Sequence, residues 1–461
     1  MTILGTTQRP LRVAIVGAGP AGFYVAETLF KQDLNVKIDM FEKLPAPFGL
    51  VRYGVAPDHE KIKNVIKIYE KIASDSRFSF FGNVAVGQSI GVVELKKFYD
   101  ATVFCYGTEA DRRLGIKGEG LKGSHLATEF VGWYNGHPQF RDCCFDFSHE
   151  VTVIMGQGNV AMDVARILCS TAEELSKTDI SQHALDELAK SRVKEVHVYG
   201  RRGPVQAAFT PLEIREMGGL KDAYPVVDQK DLQLNEASSA ETHGVVNSFR
   251  KKNIEILQSF TVLKHQNRQR KFVLHFLRTP VEIIGKDRVE KVKFEINELT
   301  GDAGQQKVKG TGQFEEIECG LFFTSIGYEG VPMQGVPFSP EKGIIPNRLG
   351  RVLDGGTAKD GWYVSGWIGH GASGVIGTNK IRAEETVRSL VEDLEDLPAC
   401  ETPSTEAVVK FLRERSIDPI TFIDWKKIDA YEIMLGLKAG KPREKITEVS
   451  QMLSVAKEPS Y

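Results

Sequence analysis

The sequence contains few cysteines and no recognisable cysteine motif. Its six cysteines are widely spaced except for the adjacent Cys143 and Cys144, and no two form a Cys-x-x-Cys pair. Disulfide scaffolds, zinc sites, iron–sulfur clusters and redox-active dithiols all need paired cysteines at suitable spacings. We therefore expect no disulfide framework, no metal centre and a reducing compartment.

Long apolar runs and an excess of one charge are also absent. No apolar stretch approaches the roughly 18 residues that a transmembrane helix needs. The formal net charge is −2, which provides no bulk electrostatic reason to bind nucleic acid or a membrane. Residues Met1–Pro10 are too short for a transit peptide. We find no low-complexity segment.

Glycine, in contrast, is abundant, at 44 of 461 residues. Apolar residues make up 41% and charged residues 26% of the chain, which is ordinary for a globular protein. The length allows two or three domains with cores of their own. A high glycine content is expected where several loops bring the backbone close to phosphates.

The first glycine loop has the pattern Gly17-x-Gly19-x-x-Gly22. It follows the apolar run Val13–Val16, and Glu42 lies twenty residues beyond its last glycine. In dinucleotide-binding units such a loop opens a helix whose N-terminus binds pyrophosphate, and the distant carboxylate binds the ribose hydroxyls. The alternative is a glycine-rich turn in an unrelated α/β protein.

The second glycine loop reads Gly156-Gln157-Gly158-Asn159-Val160-Ala161. It follows the apolar Val151–Met155, and the next predicted strand ends in Arg201-Arg202. Arginines at this position suit a 2′-phosphate, whereas a carboxylate would repel it, so NADP is favoured over NAD. The alternative is that the two arginines are simply solvated. Two different dinucleotides on one chain indicate electron transfer between them.

Hydrophobic periodicity predicts an α/β chain. The predicted strands are Leu11–Val16, Val36–Phe41, Ala101–Tyr106, Val151–Met155, Val193–Tyr199, Gly320–Ile326 and Gly361–Trp367, with an antiparallel pair at Phe272–Arg278 and Val289–Ile296 before a soft stretch at Gly301–Gly312. The predicted helical segments are Phe23–Lys31, Glu60–Ala73, an insertion at Ala172–Ser191, a helix that opens at Gly374 and runs towards Leu394, and a mostly helical tail at Ser404–Tyr461.

Further motifs carry a resemblance to a known family. The chain resembles adrenodoxin reductase, the mitochondrial ferredoxin–NADP⁺ reductase, and its bacterial relatives, and the resemblance extends over essentially the whole chain. The matching segments are Ala46–Arg52, Gly54–His59, Gly156–Leu168, Gly200–Gly203, Phe209–Thr210, Asp424–Trp425 and Gly440–Lys445.

The resemblance implies two Rossmann-like dinucleotide-binding domains of the glutathione-reductase type. The FAD domain would be discontinuous, formed by residues 1–113 and 331–461, with the NADP domain at 114–330. NADPH would pass a hydride to FAD, and single electrons would then go to a 2Fe-2S ferredoxin that feeds cytochrome P-450 enzymes or iron–sulfur and haem biosynthesis. The location would be the mitochondrial matrix, or the cytoplasm for a bacterial protein.

The resemblance also assigns individual residues. Besides Gly17, Gly19 and Gly22, the expected FAD-binding residues are Ala21, Glu42, Leu50, Val86, Trp367, Gly374, Val375 and Ile376. The expected NADP-binding residues are Gln157, Gly158, Asn159, Val160, Arg201, Arg202 and Glu213, with Gly374 close to the nicotinamide. His59 and Asp163 would lie near the coupled redox centre. The alternatives are that Asp163 pairs within its helix, that His59 packs in the covering loop and that Trp367 fills core.

The implied partner is a small acidic ferredoxin, which needs a local basic surface. Candidates are Arg215, Arg250, Lys251 and Lys252, which could equally form a solvated face. Peripheral contact with the inner membrane is a further possibility. In place of the family's lysine–arginine–glycine–proline run, this chain has Gly369–Ser373, which leaves the flavin potential and the rigidity of that loop open.

Rival functions differ in how well they fit. A disulfide reductase on the same fold lacks its paired cysteines here, and the flavin subunit of glutamate synthase has an N-terminal cysteine-rich region that this chain lacks. A flavoprotein oxidase or monooxygenase, and a non-catalytic NADP sensor, remain alternatives. Oxygen consumption without ferredoxin would indicate the former, and a colourless purified protein the latter.

Overall fold

The structure is a computed structural model that describes residues 3–243, 248–263, 268–374 and 376–458. The chain divides into two compact units. Unit 1 comprises Met1–Val55, His59–Ala110 and Tyr328–Tyr461, and unit 2 comprises Ala56–Asp58 and Asp111–Gly327.

The strands in the described part of the chain follow each other in this order: β1 (Leu11–Val16), β2 (Val36–Phe41), β3 (Phe78–Phe81), β4 (Ala101–Phe104), β5 (Ala110–Asp111), β6 (Ser124–Leu126), β7 (Val151–Met155), β8 (Glu195–Tyr199), β9 (Ala223–Val227), β10 (Arg270–His275), β11 (Arg278–Ile284), β12 (Lys291–Thr300), β13 (Lys307–Glu318), β14 (Leu321–Thr324), β15 (Tyr328–Glu329), β16 (Asn347–Arg348), β17 (Arg351–Asp354) and β18 (Thr357–Val364).

The α-helices in the same part of the chain are α1 (Pro20–Phe30), α2 (Leu50–Tyr53), α3 (Glu60–Lys63), α4 (Ile66–Ala73), α5 (Val92–Leu95), α6 (Ala127–Tyr134), α7 (Asn159–Cys169), α8 (Ala172–Leu175), α9 (Gln182–Leu188), α10 (Pro211–Gly218), α11 (Glu236–Ala240), α12 (Ser248–Phe260), α13 (Trp367–His370), α14 (Thr378–Glu392), α15 (Thr405–Glu414), α16 (Phe422–Lys438) and α17 (Val449–Lys457). Short 3₁₀ turns occur at Pro138–Phe140, Pro204–Gln206 and Gln229–Leu232.

Unit 1 is built on a sheet with the strand order β16-β17-β18-β4-β1-β2-β3. The five strands from β18 to β3 run parallel, and the β16–β17–β18 pairings are antiparallel. Every residue of β1 is buried, because a strand in the middle of a parallel sheet is covered on both faces and therefore reads as a continuous apolar run. Helices α1 and α14 pack against each other.

Unit 2 has a parallel sheet with the order β6-β14-β7-β8-β10-β9 and a separate antiparallel sheet β11-β12-β13. The glycine loop after β7 lies at the carboxyl end of a central strand, as the loop after β1 does in unit 1. In open α/β sheets, ligands bind at this end of the strands. Each unit therefore presents one such edge.

The predicted antiparallel pair at Phe272–Arg278 and Val289–Ile296 is wrong for its first member. β10 ends at His275 and lies parallel between β8 and β9, and it is β11 that pairs antiparallel with β12. The alternating pattern around Phe272 and Leu274 describes burial but not strand direction, which is decided by the connection through α12. The soft stretch at Gly301–Gly312 is also partly wrong, because β13 begins at Lys307.

Other boundaries also differ from expectation, including those of the insertion at Ala172–Ser191, which contains the separate helices α8 and α9. The predicted helix Glu60–Ala73 is split into α3 and α4, because the hydrogen bonds around Asn64 and Val65 span three residues rather than four. The predicted strand Gly361–Trp367 begins earlier, at Thr357, and ends at Val364. The helical tail is present as α15, α16 and α17.

Candidate nucleotide-binding sites

The first glycine loop is shaped by steric limits that only glycine meets. Gly17 has φ +107°, and a Cβ atom there would lie 2.6 Å from the Cys105 carbonyl oxygen. A Cβ atom on Gly22 would lie 2.3 Å from the Gly17 oxygen, which keeps α1 close to the turn. Gly19 caps α1 without any side-chain hydrogen bond, and a Cβ atom there would meet nothing within 4 Å. No side chain caps this helix end, so its first-turn N–H groups suit an anion.

Glu42 stands directly after β2, beside this loop. Its carboxylate accepts hydrogen bonds from the backbone N–H groups of Ala18 (3.1 Å) and Leu44 (3.2 Å). Burial raises the pKa of Glu42 above its ordinary value, while these two donors lower it. A carboxylate has about four acceptor positions, so two hydroxyl groups can still be bound. The residues around Glu42 therefore fit a ribose and pyrophosphate.

The segment that follows Glu42 folds back over the glycine loop. The Phe48 N–H donates to the Ala18 oxygen at 2.8 Å, and Phe48 holds the unusual φ of +84°. A Cβ atom on Gly49 would lie 3.1 Å from the Gly19 Cα. Leu50 follows with 46% of its surface exposed. The segment is therefore a covering loop, with an apolar side chain available at its edge.

Val86 and Trp367, also expected at this site, lie far apart in sequence. Val86 is buried in a core cluster together with Val16 and Ile368. Trp367 begins α13, stacks on Tyr328 with ring centroids 6.0 Å apart, and has a buried indole nitrogen without a partner among the described residues. An orphaned buried donor of this kind fits a bound group with acceptor atoms.

The glycine-rich segment after α13 corrects one expectation. The helix predicted to open at Gly374 instead begins at Thr378, with Gly377 as its uncapped N-terminal residue. Gly374 has φ +85°, and a Cβ atom there would lie 2.4 Å from the Thr378 hydroxyl oxygen, so this residue belongs to the turn. Ile376 is half-buried, and Val375 lies outside the described residues.

Gly366 is a residue of this site that the sequence reasoning missed. It has φ +76°, and a Cβ atom there would lie 2.5 Å from the Cβ of Ala21. The end of β18 therefore approaches the first turn of α1 as closely as the backbone permits. The two small residues Ser365 and Gly366 directly before Trp367 would have been a sequence signal.

The second glycine loop repeats the plan in unit 2. Gly156 has φ +135°, and a Cβ atom there would lie 1.9 Å from the Ser325 oxygen. Gly158 caps α7 without a side-chain hydrogen bond and has nothing within 4 Å of an added Cβ. The N-terminus of α7 is therefore also open to a phosphate.

Two predicted side chains fix the shape of this loop. The Gln157 amide donates to the His275 oxygen at 2.9 Å, and the Asn159 side-chain oxygen accepts from the Thr210 N–H at 2.9 Å. Val160 is half-buried in the first turn of α7. Gln157 and Asn159 thus hold the loop on its neighbours, which leaves backbone groups to meet a ligand.

Arg201 and Arg202 follow β8 and have exposed side chains. Their backbone is held in place, because Asn297 donates to the Arg201 oxygen at 3.0 Å and the Leu277 N–H donates to the Arg202 oxygen at 3.0 Å. Partial burial, and then the positive charges of Arg201 and Arg250, lower the pKa of Arg202. Neither Arg201 nor Arg202 is ion-paired within the described part of the chain, so both can meet an anion.

Arg166 is a buried residue that pairs with several carboxylates, and the sequence did not indicate this role. Its guanidinium is 4% exposed and forms a two-bond ion pair with Asp58 (2.6 and 3.0 Å). It also pairs with Asp163 at 2.6 Å and Glu213 at 3.3 Å. Burial alone would lower the pKa of Arg166, but the carboxylates of Asp163 and Asp58 raise it. Two residues expected at the NADP site and redox centre are therefore bound to Arg166.

The remaining expected residues lie on or beside α3, α10 and α12. His59 is half-buried at the N-terminal end of α3. Arg215 is exposed on α10, and Lys251 and Lys252 are exposed on α12. Arg250, on the same helix, is ion-paired with Glu241.

The cysteines offer no redox pair. All six are free thiols, and four of them are buried. Burial raises the pKa of Cys169 and Cys319 to about 12, so neither is a thiolate at neutral pH. In the described part of the chain, no helix is both long and apolar enough to cross a membrane.

The chain is similar to known proteins over nearly its whole length. Residues 15–81 match the model of the NAD(P)-binding Rossmann-like domain family. The chain is 43% identical to the mitochondrial NADPH:adrenodoxin oxidoreductase of Salvelinus fontinalis, over 97% of this chain and 91% of that protein. It is 42% identical to NADPH-ferredoxin reductase FprA of Mycobacterium tuberculosis, over 97% and 99%. The solved structure of that FprA in complex with NADPH has a TM-score of 0.92 at 41% identity, covering 98% of this chain and 100% of the other.

The fold and the two glycine loops define an oxidoreductase with paired Rossmann-like dinucleotide-binding units, which confirms the predicted fold class. The chain belongs to the family of NADPH:adrenodoxin oxidoreductases and NADPH-ferredoxin reductases. The resemblance stated from the motifs is thereby confirmed. The family includes members named as mitochondrial and members from mycobacteria.

Proposed function

We propose that this protein is an FAD-dependent NADPH:ferredoxin oxidoreductase. Unit 1 would hold FAD, unit 2 would hold NADPH, and the acceptor would be a small acidic 2Fe-2S ferredoxin that supplies cytochrome P-450 enzymes or iron–sulfur and haem biosynthesis. The predicted division at residues 113/114 and 330/331 belongs to this proposal. Mitochondrial-matrix and bacterial cytoplasmic locations are both compatible with it.

The observation that carries the proposal is the different chemistry at the two glycine loops. Beside the first loop, Glu42 presents a carboxylate that binds free hydroxyls and repels a 2′-phosphate. Beside the second, Arg201 and Arg202 present two guanidinium groups without carboxylate partners in the described residues. Guanidinium groups bind phosphates through forked, charge-assisted hydrogen bonds. The pair of sites therefore suits FAD in unit 1 and NADP in unit 2.

When bound, FAD would accept a hydride from NADPH and pass its electrons one at a time to a one-electron acceptor. The residues of the chain itself would bind the cofactor and orient it. Gly17, Gly19 and Gly22 would present the α1 N-terminus to the pyrophosphate, and Ala21 lies in the first turn of that helix. Leu50 and Val86 would contact the cofactor through apolar surface.

We place Trp367, Gly374, Val375 and Ile376 beside the flavin ring, with Trp367 as a shield. The N-terminus of α14, four residues beyond Gly374, would favour negative charge on the ring by about 1 kcal/mol. The Gly369–Ser373 segment has no fixed cation of the kind found elsewhere in the family, and we expect it to be less rigid.

His59 and Asp163 would have supporting roles. Hydride transfer needs neither a nucleophile nor a general base, so the reaction does not depend on proton transfer at either group. Asp163 would orient the second site through Arg166, and Glu213 would border the NADP ribose while held by the same arginine. His59 would pack in the covering loop near the redox centre.

Ferredoxin docking would use exposed cations of unit 2. Arg215, Lys251 and Lys252 are exposed and lie on α10 and α12, which pack against each other. Arg250, the fourth candidate, differs because Glu241 pairs with it. The near-neutral total charge means that such a patch would have to act locally.

The proposal is tested by anaerobic stopped-flow mixing of the purified yellow protein with NADPH and with NADH. Bleaching of the flavin should be much faster with NADPH. Cytochrome c reduction should then depend on added ferredoxin. A colourless protein would contradict the FAD assignment, a preference for NADH would contradict the role of Arg201 and Arg202, and oxygen consumption independent of ferredoxin would favour an oxidase.

A further inference from the structure

A buried carboxylate lies next to the turn that carries Arg201 and Arg202. The Glu241 side chain is 4% exposed. One of its oxygens accepts from the Gly304 N–H (3.0 Å), the Gln306 amide (2.9 Å) and the Gln206 amide (3.3 Å). Its other oxygen is paired with Arg250. Buried charges are retained only when they are paired and hydrogen-bonded, and these three donors fix Glu241 so that it can hold Arg250 in one position.

Glu241 connects Arg250 to the turn that carries Arg201 and Arg202. Gln206 ends the 3₁₀ turn Pro204–Gln206, four residues after Arg202, and α12 packs against this 3₁₀ turn. Asn253, one helical turn after Arg250, donates to the Phe209 oxygen at 2.9 Å and is buried. The start of α12 is therefore anchored beside the loop that follows β8.

The charges at this place do not balance. Arg201, Arg202 and Arg250 carry three positive charges against the single carboxylate of Glu241, which leaves a net charge of +2. Burial, then the positive charge of Arg201 and then that of Arg250 lower the pKa of Arg202, and the Glu241 carboxylate opposes them. Like charges held close together cost free energy, and an anion would remove that cost. A phosphate monoester carries about −1.5 to −2 at neutral pH.

We infer that Arg250 is a third arginine of the 2′-phosphate site, positioned by Glu241, and that it contributes to the discrimination between NADPH and NADH. The inference rests on the proposed function, because it needs unit 2 to bind NADP. Glu241 is a positioning residue in this arrangement, and Arg250 contacts the ligand. Lys251 and Lys252, the next two residues, are exposed and have no part in the Glu241 network.

The rival role for Arg250 is ferredoxin docking. A docking cation acts through long-range attraction and gains little from a fixed position. The Arg250 side chain is 40% exposed but is tied to a carboxylate that is itself held by three donors. Such fixation suits the bidentate geometry of phosphate recognition.

Two roles of Arg250, recognition of the 2′-phosphate and docking of ferredoxin, can be separated by calorimetry. The full flavin-containing protein is titrated with adenosine 2′,5′-bisphosphate and with 5′-AMP. For Arg250→Ala we expect about tenfold weaker binding of the bisphosphate and unchanged binding of 5′-AMP. The KM for NADPH in dye reduction should rise similarly while kcat stays the same. Lys190→Ala, which removes an exposed cation beside α9, is the matched control and should change neither the bisphosphate affinity nor the KM for NADPH.

Arg250→Ala leaves Glu241 without its ion pair, so the double variant E241Q/R250Q, which buries no charge there, is measured in parallel. It should also show about tenfold weaker bisphosphate binding. Unchanged bisphosphate binding in either folded variant would overturn the inference, as would equal losses for bisphosphate and 5′-AMP. If the unaltered protein does not prefer the bisphosphate, the proposed function fails as well. An undiminished preference for the bisphosphate in both variants refutes only the role of Arg250.

Discussion

Arg52 and Glu432, 380 residues apart in sequence, form a two-bond ion pair with distances of 2.9 and 2.5 Å. The two side chains are 3% and 0% exposed. Arg52 lies in the covering loop and Glu432 on α16 of the C-terminal tail. The Trp425 ring lies under the guanidinium of Arg52, 4.9 Å away, and it also contacts Phe48 edge-on. The tail thus holds the loop that covers the first glycine site.

Breaking this pair should loosen the covering loop. In Arg52→Met, Glu432 loses both bonds to the guanidinium but keeps its contacts with Arg443 and the Ile446 N–H. Removal of one member of a buried pair costs about 3–5 kcal/mol, and we expect a loss of that order in the free energy of unfolding by urea. FAD should also be released at a lower temperature, which flavin fluorescence detects.

The matched control is Lys177→Ala, which breaks the exposed pair between Lys177 and Glu173. The free energy of unfolding and the temperature of FAD release should both be unchanged in this variant. If Arg52→Met loses stability but retains FAD as firmly as the unaltered protein, the tail stabilises the fold without holding the cofactor.

Arg202→Ala should reduce the affinity for NADPH. One charge-assisted hydrogen bond contributes about 1.5–3 kcal/mol, so the KM for NADPH should rise at least tenfold, while the KM for NADH should stay the same or fall. Steady-state reduction of ferricyanide measures both without ferredoxin. Equal increases for the two coenzymes would show that Arg202 supports the fold and not the 2′-phosphate.

Asp111 should make stability depend on pH. Burial raises the pKa of this carboxyl to about 6, although the Thr128 hydroxyl donates to it. The folded state therefore holds a proton that the unfolded state releases near pH 4. The stabilisation is complete below about pH 4 and is lost as the pH rises through 6.

Asp111→Asn removes this charge and keeps an acceptor for Thr128. Relative to the variant, the unaltered protein should lose up to about 3 kcal/mol between pH 4 and pH 7. Urea titrations at both values measure the difference. Parallel stability profiles for the two proteins would mean that Asp111 titrates normally.

Asp163→Asn and His59→Gln should impair turnover without abolishing it. General acid–base catalysis contributes about 10²–10⁴-fold where it operates, whereas we expect less than about tenfold here because hydride transfer needs no proton relay. Single-turnover bleaching by NADPH measures the step. A loss above about a hundredfold in either variant would show that the residue takes part in proton transfer.

Electrostatic docking predicts a salt effect confined to one assay. Ferredoxin-linked turnover should fall steeply with ionic strength, because exposed charges are screened beyond about 10 Å at 0.1 M salt. NADPH-driven dye reduction should hardly change. The same salt dependence in both assays would contradict docking through Arg215, Lys251 and Lys252.

The glycine loops could be recognised from sequence because their determinants are local. The positive φ of Gly17 and Gly156, and the close approach of each to a neighbouring strand, are imposed by the turn from strand to helix. Glu42 and the Arg201–Arg202 pair follow the next strands at the carboxyl edge of the same sheets. A short spacing therefore encodes both the phosphate site and the group that selects the ribose.

Only the tertiary structure revealed which side chains share a partner. Arg166 binds Asp58 and Glu213 across 108 and 47 residues, and no periodicity connects such positions. The ion pair with Glu241 likewise distinguishes Arg250 from the neighbouring Lys251 and Lys252.

The sequence by itself determined the two nucleotide-binding units, because hydrophobic period and glycine spacing act over a few residues. The tertiary structure decided the direction of β10, the start of α14, the buried partners of Arg52 and Arg166, and the placement of Arg250. Those features depend on contacts between distant segments, whose free energies become defined only when the whole chain is packed.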